Sequence, residues 1–319
     1  MPELRFDPVL CEWVIISPQR QERTFLPPDD FCPLCPTRPG RTETEIPEPT
    51  YDIAVFENRF PSLSRDAARV SSEKGARSAA GKGVCEVVCY TPRHDTTLSR
   101  LPVERIRRLI EVWQDRYREL GSLPGIRYVL IFENRGKEIG VTLTHPHGQI
   151  YAFPFVPPKP QREIASARRY FKAHGSCLFC DIAKREKRAA RRIVCENAQY
   201  LAFVPYWAHW PYEVHLYPKF HASHIGCLSQ AQIRLLAQIL KRLLPKYDRL
   251  FGFSLPYIMV LHQAPTTRTD DDTYHFHFEF YPPHRGQNRL KYLAGCESGA
   301  GTFINDTVPE EKARELRDA

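Results

Sequence analysis

The sequence predicts an α+β protein built from a duplicated unit, each copy an antiparallel sheet with helices packed on it. Three observations predict it. Segments alternate apolar and polar residues, as in Tyr274-His275-Phe276-His277-Phe278-Glu279-Phe280-Tyr281, the period-2 signature of a strand. Two longer stretches carry apolar residues at helical spacing, Ile106, Leu109, Ile110, Trp113, Tyr117 and Leu120 in one and Ile233, Leu236, Ala237, Leu240, Leu243 and Leu244 in the other. The parts also come in the same order twice: a C-x-x-C pair, a strand, a His, an amphipathic helix, a strand and an H-x-H-x-(Gln or Glu) row. His94 lies seven residues before Leu101, and His221 seven before Leu228, which reads as an internal repeat.

In chain order, Leu4 to Ser17 alternates well enough for one strand. Arg20 and Arg23 follow in a loop, read either as solvated surface or as a phosphate clamp, since guanidinium matches phosphate oxygens bidentately. Cys32-Pro33-Leu34-Cys35 has the spacing of a zinc knuckle. Arg38 to Pro49 is a polar, Pro-rich loop, Val55 to Pro61 a short strand and turn, and Ser62 to Gly83 a mobile polar excursion. Val84 to Tyr90 is a strand. A helix spans Pro102 to Leu120 with Gly121 as its stop. Tyr128 to Phe132 is a strand, and Glu133-Asn134-Arg135-Gly136 a turn.

The central row, His145-Pro146-His147-Gly148-Gln149, then opens or borders a strand, with His145, His147 and Gln149 on one face. Pro146 withholds a ladder N–H and points to an edge or interrupted strand; Gly148 lets another group approach the backbone. In the second half Cys177-Leu178-Phe179-Cys180 is another knuckle, Tyr200 to Val204 and Glu213 to Pro218 are strands, and a helix capped by Ser229 runs to Tyr247. Tyr257 to Leu261 and the Tyr274 row complete the copy, and the basic stretch from Ser166 to Arg192 is the seam. The two units are 1–160 and 161–319.

With 319 residues, 42% of them hydrophobic, the chain can bury real cores. No apolar run is long enough for a membrane span or a signal peptide, so a cytoplasmic protein is expected. Ten cysteines in a reducing compartment favour metal ligation over disulfides. A net charge of +8 suits anionic partners without separating a sugar phosphate from a nucleic acid.

Two readings of the central row stand side by side. A His pair on a strand is a packing or metal feature; alternatively one neutral imidazole is a nucleophile at pH 7. The repeat sharpens the metal reading. Cys32, Cys35, His94 and His145 form a closed Cys2His2 set, and Cys177, Cys180, His221 and His275 stand at matching places. Four-ligand closure makes such zinc structural. If zinc fixes His145, His147 is left free beside it, and Gln149 can donate a hydrogen bond but no proton.

These residues resemble a known family. His145-Pro146-His147-Gly148-Gln149 is similar to the signature of galactose-1-phosphate uridylyltransferases, a branch of the histidine triad superfamily whose fold is a duplicated α+β unit. Ser17 to Arg23, Phe132-Glu133-Asn134, Val204 to Ala208, Phe280-Tyr281-Pro282-Pro283, Lys291 to Gly295 and Glu297 extend the resemblance over nearly the whole chain. It implies a ping-pong exchange of UDP-glucose with galactose 1-phosphate through a uridylyl-His147 intermediate. It also implies Gln149 as partner of that step, substrate contacts at Arg20, Arg23, Asn58, Asn134, Thr142, Lys291 and Glu297, and a homodimer with shared active sites.

Two departures stand out. Relatives hold a second metal with one Glu and three His, whereas the matching positions here are Glu163, His262, His277 and Glu279. A carboxylate replaces the third imidazole, so either this set or the second cysteine set, or both, would take a second zinc or iron. Thr142 stands where the family has serine. Two other functions remain in view: a relative using another nucleotide sugar such as ADP-glucose, and a zinc-stapled nucleic-acid-binding protein. The scattered basic residues weigh against the latter.

Overall fold

A computed structural model describes residues 1–22, 31–40 and 42–319. Arg23 and its phosphate-clamp reading therefore lie outside the described residues. The first half contributes β1 (Glu3–Asp7), β2 (Glu12–Ile16), β3 (Ala54–Glu57), β4 (Ser78–Ala80), β5 (Val84–Cys89), α1 (Val103–Ser122), β6 (Tyr128–Arg135) and β7 (His147–Phe153). After α2 (Pro158–His174) and α3 (Leu178–Ala189) come β8 (Ile193–Glu196), β9 (Tyr200–Phe203), β10 (Val214–Pro218), α4 (Gln230–Leu250), β11 (Tyr257–His262) and β12 (His277–Tyr281).

The central sheet has nine strands in the order β3-β5-β7-β6-β11-β12-β10-β9-β8, and every pairing is antiparallel. Read outward from the β6–β11 seam the order mirrors itself, with β7 matched by β12, β5 by β10 and β3 by β9. α1 lies between β5 and β6 in the chain, and α4 between β10 and β11, so the repeat predicted from the order of parts is the architecture of the sheet. α1 and α4 pack on each other and on one face of the sheet, where residues of both halves form one apolar core including Trp113, Ile131, Leu240 and Phe278. The other face carries the N-terminal hairpin, both knuckles and α3, and it is the face on which the candidate site residues lie.

Several element ends differ from expectation, each for a local reason. Leu4 to Ser17 is a hairpin rather than one strand, turning at Cys11, which sits in the left-handed region with φ 56°. Gly121 does not stop α1; the helix ends at Ser122 because Leu123 precedes Pro124 and is driven to an extended conformation, φ −67°, ψ 139°. Glu133 to Arg135 continue β6 instead of turning, and the turn comes at Gly136 with φ 103°. The excursion from Ser62 is tied down by fully buried Leu63 and by pairing of β4 with β1. Pro146 does not mark an edge, since β7 lies inside the sheet between β5 and β6 and the Pro146 carbonyl still accepts from Tyr90 N. Ser229 caps α4 in a full capping box with Gln232.

Candidate active site

Antiparallel register decides which side chains share the open face. Phe132 pairs with Gln149, and Val87 with Gln149 and Cys89 with His147; directly paired residues lie on one side, so His147, Gln149 and Val87 face away from α1. A cavity of about 560 Å³ opens there, lined among others by Arg20, Asn58, Asn134, Thr142, His147 and Gln149. Six residues expected at the site thus meet around one space. Lys291 and Glu297 do not line it; both are buried and pair with each other, Nζ to Oε1 3.0 Å, away from this chain's cavity.

Backbone geometry settles the tautomer of His147. His147 Nδ1 lies 2.7 Å from the His145 carbonyl oxygen, which can only accept, so Nδ1 carries the hydrogen and Nε2 the lone pair. Burial depresses the His147 pKa, and the same carbonyl bond partly opposes it. The ring is therefore neutral at pH 7.

Gln149 is oriented by a relay that the sequence did not reveal. Phe60 N donates to Asn58 Oδ1 at 2.9 Å, which turns the Asn58 amide so that its Nδ2 donates to Gln149 Oε1 at 3.3 Å. With its oxygen occupied, Gln149 presents its NH2 group as a donor. Arg20 is held on a 3-10 turn at Pro18–Glu22 by Ser62 Oγ at 2.8 Å and Tyr151 Oη at 3.2 Å.

Behind the row, Cys32, Cys35, His94 and His145 converge with ligand atoms all within 4.8 Å of one another, as do Cys177, Cys180, His221 and His275. Cys35 Sγ is 3.6 Å from both His94 Nδ1 and His145 Nδ1. Cys180 Sγ is 3.7 and 3.5 Å from His221 and His275 Nδ1. Tetrahedral zinc with ordinary Zn–S and Zn–N bonds separates S and N by about 3.6 Å. The outward nitrogens fit as well: His145 Nε2 meets Thr91 O at 2.8 Å, His221 Nε2 meets Asp271 O at 2.7 Å and His275 Nε2 meets Pro218 O at 3.1 Å. Each carbonyl fixes the tautomer that leaves Nδ1 free for a metal. Burial pushes the Cys35 thiol up to about 11 and His145 down to about 4, so these two donors of the first set are neutral until a cation draws off the thiol proton.

Glu163, His262, His277 and Glu279 form a third group among the described residues, sharing no member with the others. The two candidate second sites are therefore not alternatives in space. His262 Nδ1 lies 3.0 Å from Glu163 Oε1 and 3.7 Å from Glu279 Oε2, and His277 Nε2 lies 3.4 Å from Glu279 Oε1. His277 Nε2 is buried without a close hydrogen-bond partner and faces the Glu279 carboxylate, so a proton or a cation belongs between them, and the mixed N/O set suits a borderline or harder divalent ion. Lys159 Nζ also reaches Glu279 at 2.6 Å.

Residues 1–157 match the family described as galactose-1-phosphate uridyl transferase, N-terminal domain, and residues 163–319 match its C-terminal domain. The chain is 44% identical to a galactose-1-phosphate uridylyltransferase of Thermotoga maritima, covering 100% of this chain and 98% of the relative. A solved uridylyltransferase superposes with a TM-score of 0.88 at 38% identity, covering 99% of this chain and 97% of the other. An ADP-glucose phosphorylase from Arabidopsis thaliana, solved with bound ADP-glucose, gives 0.75 at 28% identity over 100% of this chain and 99% of its own.

Proposed function

This chain belongs to the galactose-1-phosphate uridylyltransferase family, and on that premise we propose that His147 carries its transfer chemistry. The enzyme is a nucleotidyltransferase acting on UDP-hexose and hexose 1-phosphate. In our reading His147 Nε2 attacks the α-phosphorus of UDP-glucose. The bond from that phosphorus to the bridging oxygen breaks, glucose 1-phosphate departs with the electron pair, and UMP remains on the ring. A phosphate oxygen of galactose 1-phosphate then attacks, the P–N bond breaks, and UDP-galactose leaves a neutral imidazole behind.

A sugar phosphate leaves as a stable anion, so the first step needs no proton donor. An amide at Gln149 is therefore sufficient, and its NH2 group stabilises the non-bridging oxygens as charge builds there. Arg20, Arg23, Asn58, Asn134 and Thr142 supply further phosphate contacts. We read the chain as two units, 1–160 and 161–319, in a homodimer with shared sites in the cytoplasm, in which Lys291 and Glu297 serve the sugar. Cys32, Cys35, His94 and His145 would hold a structural zinc, Cys177, Cys180, His221 and His275 another, and Glu163, His262, His277 and Glu279 a further zinc or iron. Zinc bound behind His145 supplies rigidity.

One observation carries the proposal: the His147 Nδ1 bond to the His145 carbonyl, beside a Gln149 whose oxygen is already engaged. The test is mass spectrometry after brief exposure to UDP-glucose without acceptor. One UMP on the peptide containing His147, absent in His147→Gly, is expected. Labelling elsewhere, or labelling by ADP-glucose in preference to UDP-glucose, overturns it.

A further inference from the structure

The face of the sheet turned away from the cavity holds a carboxyl group that the transfer reaction does not use. Glu133 follows Phe132, which pairs with Gln149, and so lies beside Gly148 on the side of α1 and α4. Tyr90, just after β5, reaches the same point. A Cβ built on Gly148 would meet the Tyr90 hydroxyl at 2.2 Å and the Phe132 carbonyl at 2.9 Å. That hydroxyl donates to Glu133 Oε2 at 3.2 Å, and Tyr257 from β11 donates to Oε1 at 3.2 Å. Arg135 lies over the Tyr257 ring at 4.7 Å and pairs with Asp248 of α4. The carboxyl group is thus gripped by one hydroxyl from each half of the sheet.

The second copy provides an internal comparison. There the residue between His277 and Glu279 is Phe278, whose own ring packs 6.2 Å from Trp113 in the core. The half with the cavity dispenses with that ring and puts glycine and a neighbouring strand's hydroxyl in its place. Core packing alone does not require a hydroxyl and a carboxyl group here, since apolar groups of the same shape avoid the cost of desolvation.

We propose that Tyr90 and Glu133 are positioning residues of the transfer reaction: the Tyr90 hydroxyl, held by Glu133, is the stop on which the Gly148 link lies, and it sets how His147 and Gln149 meet the phosphorus. The proposal rests on the reading of His147 as nucleophile. Burial pushes Glu133 up to about 7 against the opposing pull of Arg135 and the two hydroxyls, with Asp248 adding to the rise. The device therefore changes charge near neutrality.

The test is single-turnover uridylylation of the full-length, metal-loaded protein by UDP-glucose. Tyr90→Phe removes no cavity-lining side chain, so KM is expected to stay within about twofold while the rate falls about tenfold, the scale of a small misplacement. Glu133→Gln is expected to lose an inflection near neutral pH that the parent rate profile shows. Gly148→Ala is expected to be slow, and adding Tyr90→Phe to it to recover part of the rate, because the hydroxyl it strikes is gone. If Gly148→Ala does not fold, the Glu133→Gln profile decides. A Tyr90→Phe protein that transfers at the parent rate, or that loses only thermal stability, overturns the proposal. If the parent itself takes up no UMP, the nucleophile reading fails instead.

Discussion

Glu133 also makes a stability test that is independent of catalysis. Its carboxyl pKa is raised from 4.5 to about 7, chiefly by burial. Below about pH 4.5 the group is protonated in both folded and unfolded chains. Between there and about pH 7 the unfolded chain ionises while the folded one keeps its proton, so stability present at low pH is lost as pH rises through the folded pKa. At about 1.4 kcal/mol per tenfold change in proton affinity, the loss is about 3 kcal/mol at most, a sizeable part of the 5–15 kcal/mol that usually holds a domain together. Glutamine cannot ionise. Glu133→Gln should therefore unfold at or slightly below the parent's urea midpoint near pH 5, where an imperfect amide fit costs about 1 kcal/mol, and above it near pH 8.5. Histidines titrating over this range are common to both proteins and cancel in the difference. A difference that is flat with pH would show Glu133 ionised throughout, with Arg135 outweighing burial, and would refute the reasoning.

Three further outcomes follow from the site. Gln149→Ala removes a donor to developing charge and should slow uridylylation about 10²- to 10³-fold with little change in KM for UDP-glucose, measured under single turnover. Cys35→Ser and Cys180→Ser should each lose one metal ion per chain by elemental analysis; the first should also slow uridylylation, because His145 presents the carbonyl that fixes His147, whereas the second should mainly lower the melting temperature. Desolvation of the half-buried ring lowers the His147 pKa, so kcat/KM should fall on the acid side only as pH drops through a value below 6.5, and an acid limb above 6.5 would contradict a neutral ring.

Order and spacing in the chain were enough to read the duplication and the two cysteine–histidine groups, because these depend on residue types placed by strand and helix periods, whereas the carboxylate–histidine group and the cavity residues Asn58, Asn134 and Thr142 were legible only through the family resemblance. What escaped depends on partners far along the chain. Glu133-Asn134-Arg135 looks like a turn until Tyr90, Tyr257 and Asp248 supply the buried polar contacts that let β6 continue. Gly121 looks like a helix stop, yet the stop is imposed by Pro124. The Phe60–Asn58–Gln149 relay had no sequence signal beyond an asparagine near a strand end. Lys291 and Glu297 sit in a resembling segment, but in this chain they pair with each other instead of reaching the cavity.

The two copies show what the backbone decides and what it leaves to one side chain. His277 Nδ1 meets the His275 carbonyl at 3.0 Å, just as His147 Nδ1 meets His145, so the repeated H-x-H row bares the same ring nitrogen twice. In the first copy the position two residues on is an amide, and the bare nitrogen borders open space that an anionic phosphate can enter. In the second it is Glu279, drawn to Lys159 at 2.6 Å and His215 at 3.2 Å, and His277 is fully buried. A carboxylate there repels a phosphate and attracts a cation; an amide does neither and donates. The cation cluster also draws on Glu163 and His262, so exchanging that residue class supplies one of its members, and Gln149→Glu should move the first site in that direction, weakening UDP-glucose binding as well as transfer. If Gln149→Glu bound UDP-glucose as the parent does, charge at this position would not be what separates the two copies.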